Sequence, residues 1–162
     1  MRILGIDPGL RHTGWGVVHQ EGSRLMFLGA GVIHPSPALS MPQRLAAIAE
    51  GLAGVIKELL PDEAAVEETF VNSNARSALV LGQARGVALL VPAQAGLVVA
   101  EYAANLIKKN VTGYGHADKQ QVLAVLNMLM PGHTARADAA DALAIAVAHG
   151  HLRQVKNYSA VS

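Results

Sequence analysis

Apolar residues crowd the run from Arg2 to Asp7, which ends at an acid followed by Pro8-Gly9 and predicts a buried strand and a turn. Thr13 to His19, with Trp15, Val17 and Val18, predicts a second strand in which Trp15 packs under a helix, and Arg24 to Ile33 a third. Short glycine-containing links between the three predict an antiparallel meander. Pro35, Pro37 and Pro42 mark a loop, and Pro42 suits the first turn of a helix. Leu45, Ile48, Leu52, Val55, Ile56 and Leu59 then recur at helical spacing until Pro61. Ala64 to Glu67 predicts a short strand, Asn74 to Val91 a long helix and Leu97 to Ala100 another strand. Further helices are expected from about Tyr102, Asp118 and Asp138. A meander followed by alternating helix and strand gives an α/β fold, a mixed sheet flanked by helices. Residues 1–162 are expected to form a single domain with a frayed tail from about residue 150.

Composition narrows the chemistry. With 0 Cys, a disulfide framework, a thiolate zinc site and a cysteine nucleophile are excluded. Hydrophobic residues make up 51% and charged ones 15%, so disorder is not expected, and a surface this poor in charge suits an oligomer. The net charge of +1 does not announce a nucleic-acid partner, but its distribution is uneven: residues 1–75 carry net −3 and residues 76–162 net +4. No apolar run reaches the ~18 residues of a membrane span. The opening Met-Arg-Ile-Leu-Gly-Ile-Asp lacks the apolar core of a signal peptide, so a cytoplasmic location is expected.

Four acids stand in apolar surroundings. Asp7 follows Ile3-Leu4-Gly5-Ile6, Glu67 follows Ala64-Ala65-Val66, and Asp138 and Asp141 lie in Ala137-Asp138-Ala139-Ala140-Asp141-Ala142-Leu143. Each has a plain structural alternative: Asp7 can shape a turn, Glu67 or Glu68 can be a solvated strand end, and Asp138 and Asp141 fit the cap and third position of a helix. The i,i+3 spacing nevertheless puts the last two on one helix face. Carboxylates that converge repel one another unless a divalent cation joins them, and oxygen-only donors select Mg²⁺ or Mn²⁺ over zinc.

Gly5-Ile6-Asp7-Pro8-Gly9-Leu10 with Thr13-Gly14-Trp15-Gly16, Glu67 with Phe70 and Asn74, Ala78-Leu79, Leu81-Gly82-Gln83-Ala84-Arg85-Gly86, and Ala137 through Ala146 together resemble the RuvC family of Holliday-junction resolvases. The match runs in order along nearly the whole chain. The resemblance implies a ribonuclease H-like fold and a homodimer that resolves four-way DNA junctions in recombination and repair. It implies symmetric hydrolysis of two like strands to 5′-phosphate and 3′-hydroxyl ends. Mg²⁺ is the implied cofactor, two ions per site, with Mn²⁺ able to substitute. By position, the catalytic and metal-binding carboxylates fall on Asp7, Glu67, Asp138 and Asp141. The aromatic residue near the junction centre falls on Phe70, and the basic residues near the cut phosphate on Lys108 and Lys119. Lys109 beside Lys108 leaves open which lysine faces DNA. The branch-migration proteins RuvA and RuvB are the implied partners.

Several residues carry expectations of their own. The helix from Asn74 to Val91 is apolar around most of its circumference, and Gly82 and Gly86 at i,i+4 would let a second helix approach, which predicts a two-fold dimer through it. At least one of Arg76 and Arg85 is expected at the DNA surface, and Arg76 is taken as a DNA contact. Phe70, just past a strand end, can stack on an unpaired base for roughly 1–3 kcal/mol. His149 and His151 are expected to cap the last helix and pair with its C-terminal dipole. The opening motif also looks like the phosphate loop of actin-like ATPases and sugar kinases, but those need two duplicated domains. A DNA-binding module without catalysis would need the basic residues and no clustered acids. A ribonuclease H or single-strand exonuclease would share the acids, and the apolar helix argues against it.

Overall fold

The computed structural model describes residues 1–68 and 74–159, with side chains as far as residue 153. The elements run β1 (Arg2–Asp7), β2 (Thr13–Glu21), β3 (Arg24–Ile33), α1 (Met41–Leu59), β4 (Glu63–Glu68), α2 (Ala75–Gln94), β5 (Val98–Ala103), α3 (Ala104–Thr112), α4 (Lys119–Leu129) and α5 (Asp138–Ser159). The strands form one sheet in the order β3-β2-β1-β4-β5. β1, β2 and β3 make the expected antiparallel meander, with a bulge between Val17 and Val18. β4 pairs parallel to β1 and β5 parallel to β4. Phe70 and the rest of 69–73 lie outside the described residues.

β1 is central because both of its faces are apolar. Ile3, Leu4 and Ile6 are all 0% exposed. Alternation along the strand sends Ile3 into a core with Val18, Leu126 and Leu143, under α3, α4 and α5. Leu4 and Ile6 join Val17, Ile48, Leu52 and Val66 on the other face, under α1 and α2. Truncating any one of these side chains to Ala would cost roughly 2–5 kcal/mol.

α5 lies directly on the sheet. A Cβ at Gly5 would collide with the Ala142 carbonyl, and one at Gly16 would come within 2.8 Å of the Leu143 Cα. Ala142, Ala144, Ala146 and Ala148, all buried, keep the helix surface equally thin. Small residues on both partners thus let a helix backbone reach a strand backbone.

Helix boundaries follow local chemistry, with three departures from expectation. α1 opens where the Gln43 side chain accepts from the Ser40 amide at 3.0 Å, and closes at Leu60 in the left-handed conformation (φ 48°) before Pro61. α2 begins where Asn74 Oδ1 accepts from the amides of Arg76 and Ser77. It continues past Val91 to Gln94, because Pro92 is tolerated inside it with its ring buried against the core. Tyr102 lies within β5, which closes at Ala103, instead of starting a helix; its ring is buried, and α3 begins at Ala104.

The third departure is the C-terminal segment. The expected cap of the last helix at His149 and His151 is absent, because α5 runs on to Ser159. Arg153 makes a two-pronged ion pair with Glu63 of β4, with distances of 2.7–3.0 Å, and His151 Nδ1 meets Asn110 Oδ1 at 3.1 Å. His149 therefore lies inside the helix and caps nothing. It is 4% exposed and bridges the Tyr102 hydroxyl and Glu63, each at 2.8 Å.

Candidate active site

The sheet and α5 bring the predicted acids to one edge. Asp7 closes β1 and pairs in register with Gly14 of β2, and Ile6 pairs with Val66, so Glu67 emerges beside Asp7 from the neighbouring parallel strand. A Cβ on Gly14 would strike the Asp138 carbonyl, so the first turn of α5 rests on the β1–β2 ladder. Asp138 is the first residue of that helix instead of its cap; Ala137 before it is left-handed, with φ 48°. Ligand atoms of Asp7, Asp138 and Asp141 all lie within 4.8 Å of one another. Glu67 lines a cavity of about 320 Å³ together with Asp7, Asp141, Lys108 and Lys119. Lys119 donates to Asp141 at 2.5 Å.

The carboxylates strain against one another electrostatically. Burial, and then the negative charges of Glu67, Asp141 and Asp138, push the Asp7 carboxyl up to about 8, while Lys119 pulls it back. Glu67 is raised by burial and by Asp141, and a hydrogen bond with Asp7 moderates the shift. Lys119 is raised chiefly by its hydrogen bond to Asp141. Oxygen donors alone, crowded until one of them holds a proton near neutrality, are the donor set of a hard divalent cation. Such an ion would replace that proton and remove the repulsion.

Of the two adjacent lysines, Lys108 lines the acidic cavity, while Lys109 is exposed and its Cβ faces Gly115. Arg85 forms an ion pair with Glu101 of β5. Arg76 lies on the other side of Asp7, in a second hollow of about 710 Å³ that also includes Arg11, His12, Arg44, Asp7 and Asp138. Sequence reasoning missed Arg11, His12 and Arg44 as neighbours of the site. The signal available was Arg11-His12 directly after the Asp-Pro-Gly turn; Arg44 reaches the hollow only through the packing of α1, where its guanidinium donates to the Leu10 carbonyl at 3.1 Å.

A mixed sheet of this order, with acids at the ends of two adjacent parallel strands and a third element laid across them, defines a ribonuclease H-like nuclease fold. A model of the family "Crossover junction endodeoxyribonuclease RuvC" matches residues 3–149. The chain is 58% identical over 154 residues to the crossover junction endodeoxyribonuclease RuvC of Rhodopseudomonas palustris (strain BisA53), covering 94% of this chain and 88% of that protein. It is 60% identical, over the same shares, to the RuvC of Methylocella silvestris. RuvC of T. thermophilus, solved in complex with Holliday junction substrate, superimposes with a TM-score of 0.89 at 31% identity over 96% of both chains. The chain belongs to the RuvC family of crossover junction endodeoxyribonucleases.

Proposed function

We propose that this chain is a structure-selective endonuclease that resolves four-way DNA junctions by metal-dependent hydrolysis of two like strands. The observation that carries this reading is the Asp7–Asp138–Asp141 cluster, with ligand atoms within 4.8 Å of one another, at an edge flanked by basic residues. Asp7, Glu67, Asp138 and Asp141 are the residues to hold Mg²⁺, two ions per site, or Mn²⁺ in its place. When bound, such ions polarise a phosphoryl oxygen and make a water nucleophilic near neutral pH. Lys119 and Lys108, cations on the cavity wall, hold and orient the phosphate. Arg76 holds the backbone in the neighbouring hollow. Phe70, from its place in the sequence, stacks at the junction centre. The products are 5′-phosphate and 3′-hydroxyl ends, which a ligase can rejoin.

Paired cuts require two sites related by two-fold symmetry. α2 offers the surface: Leu79 is 67% exposed and Leu90 54%, and Cβ positions on Gly82 and Gly86 meet nothing within 4 Å. These four lie along one helix face, apolar and open, suited to the same helix of a second copy. No described helix is long and apolar enough to cross a membrane. A one-domain protein acting on chromosomal junctions in the cytoplasm, alongside the branch-migration proteins RuvA and RuvB, completes the reading. Cleavage of a synthetic four-way junction, a linear duplex and an RNA–DNA hybrid, run side by side in Mg²⁺, tests it. Symmetric nicks confined to the junction are expected; equal cutting of the duplex or preference for the hybrid would reject it.

A further inference from the structure

Beside the acidic cluster, two histidines from separate segments meet. His12, in the loop after the Asp-Pro-Gly turn, and His34, just past β3, bring their Nδ1 atoms to 2.7 Å, with ring centroids 4.7 Å apart and planes at 79°. Both rings are exposed, so the pair is no core contact. His12 borders the same hollow as Arg11 of its own loop, Arg44 of α1, Arg76 of α2, Asp7 of β1 and Asp138 of α5. Among the described residues none of these three arginines has a carboxylate within 4.0 Å, and the Arg44 Nε is buried without a partner. The hollow thus gathers three cations that make no ion pair with a carboxylate among the described residues, beside the acidic cluster.

The contact geometry restricts how many protons the pair can hold. An Nδ1–Nδ1 hydrogen bond needs one ring to donate and the other to accept. With both rings neutral, one outward Nε2 bears a hydrogen and the other is bare. One added proton goes to the bare Nε2. It leaves the internal bond intact, makes it charge-assisted, and turns both outward nitrogens into donors. A second proton would set two N–H groups against each other at the same contact.

We propose that His12 and His34 form a one-proton grip on a DNA backbone phosphate: entry of the phosphate into the Arg11–Arg44–Arg76 hollow, which His12 borders, draws a single proton onto the pair, so that His12 meets the phosphate as part of a charged, hydrogen-bonded pair. This rests on the reading of the chain as a DNA junction nuclease and adds a second, proton-coupled contact surface to it. Because binding takes up a proton, affinity must fall as pH rises across the imidazole range, by at most about tenfold per pH unit.

The test is four-way junction affinity in chelator, from about pH 6 to pH 8, for the wild type and for His12→Asn/His34→Asn. Asp7, Asp138 and the arginines are common to both proteins, so their contribution cancels in the difference. The wild type should take up about one proton more than the double variant. A difference of zero overturns the proposal, and so does a difference of two, which would mean independent histidines. Histidine ring NMR of the wild type, free and junction-bound, reads the same proton without a substitution. One added proton shared by His12 and His34 supports the grip, and rings that titrate alike in both states overturn it. Should the wild type bind duplex and junction equally, the junction reading fails, while the proton difference measured on duplex still judges the pair.

Discussion

Gly14 lies beneath Asp138: the space that a side chain at Gly14 would fill is taken by the Asp138 carbonyl. Gly14 is also the register partner of Asp7, so this one contact sets the spacing between two of the site's acids. Gly14→Ala should push the start of α5 away from β1. Backbone must move to admit the methyl, at a cost of roughly 1–3 kcal/mol. Cleavage should fall further than the melting temperature implies, because the acids separate. Full activity together with unchanged stability would show that α5 does not depend on this approach.

Asp7 should carry a proton in the metal-free protein at neutral pH, since burial and the neighbouring carboxylates push its carboxyl up to about 8. A divalent cation bound there would displace it, so metal binding at about pH 7 should release roughly one proton per site. Calorimetry in buffers of different ionisation enthalpy reads this number. Asp7→Asn should lose the release and lower cleavage by orders of magnitude, while junction affinity in chelator stays equal or rises. Metal binding without proton release would contradict the assignment.

Stability without metal should fall as pH rises. A carboxyl raised on folding contributes stability that is complete below its unfolded value near 3.8 and is lost as pH climbs through about 8. Glu67 is raised too and acts in the same direction. The melting temperature in chelator should decline across this window, more steeply for the wild type than for Asp7→Asn, and Mg²⁺ should restore it.

Glu63 behaves in the opposite sense. Burial raises its carboxyl, but hydrogen bonds from Arg153 and His149, and their charges, outweigh burial and hold it below its usual value. Its contribution is present above an unfolded value near 4.5 and is lost as pH falls through the lower folded value. Arg153→Ala should cost about 1.5–3 kcal/mol at neutral pH, the range for a hydrogen bond to a charged group. Thermal melts at neutral and acid pH check both: the penalty should shrink in acid.

Lys119→Ala removes a cation that pairs with Asp141 while remaining 72% exposed. Cleavage should fall, and the slope of log affinity against log salt should become shallower by about one unit. An unchanged slope and rate would assign Lys119 to the solvated surface.

Leu79→Asp/Leu90→Asp should yield a folded monomer, because both side chains stand exposed on α2 and the buried residues of that helix are Ala84, Ala88 and Pro92. Sedimentation and far-UV circular dichroism read the two properties. A wild-type protein that is monomeric at micromolar concentration would remove this dimer face.

Local chemistry in the sequence determined the strands of the meander, the extent of α1, the acids at strand ends and the i,i+3 pair on α5. Alternation, proline and helical spacing act over a few residues and are legible without a fold. The Asp7, Asp138 and Asp141 cluster was legible in kind, since acids in apolar runs are costly unless they converge. Tertiary structure alone decided what depends on distant segments meeting. Glycine and alanine surfaces set α5 on β1. Glu63 binds Arg153 and His149 across the molecule and ties α5 to β4, which puts His149 inside the helix where local sequence suggested a cap. The same reason separates Lys108 from Lys109 and gathers Arg11, Arg44 and the His12–His34 pair beside Arg76: side-chain direction and long-range packing are settled by the sheet and its two helical layers, and no local pattern encodes them.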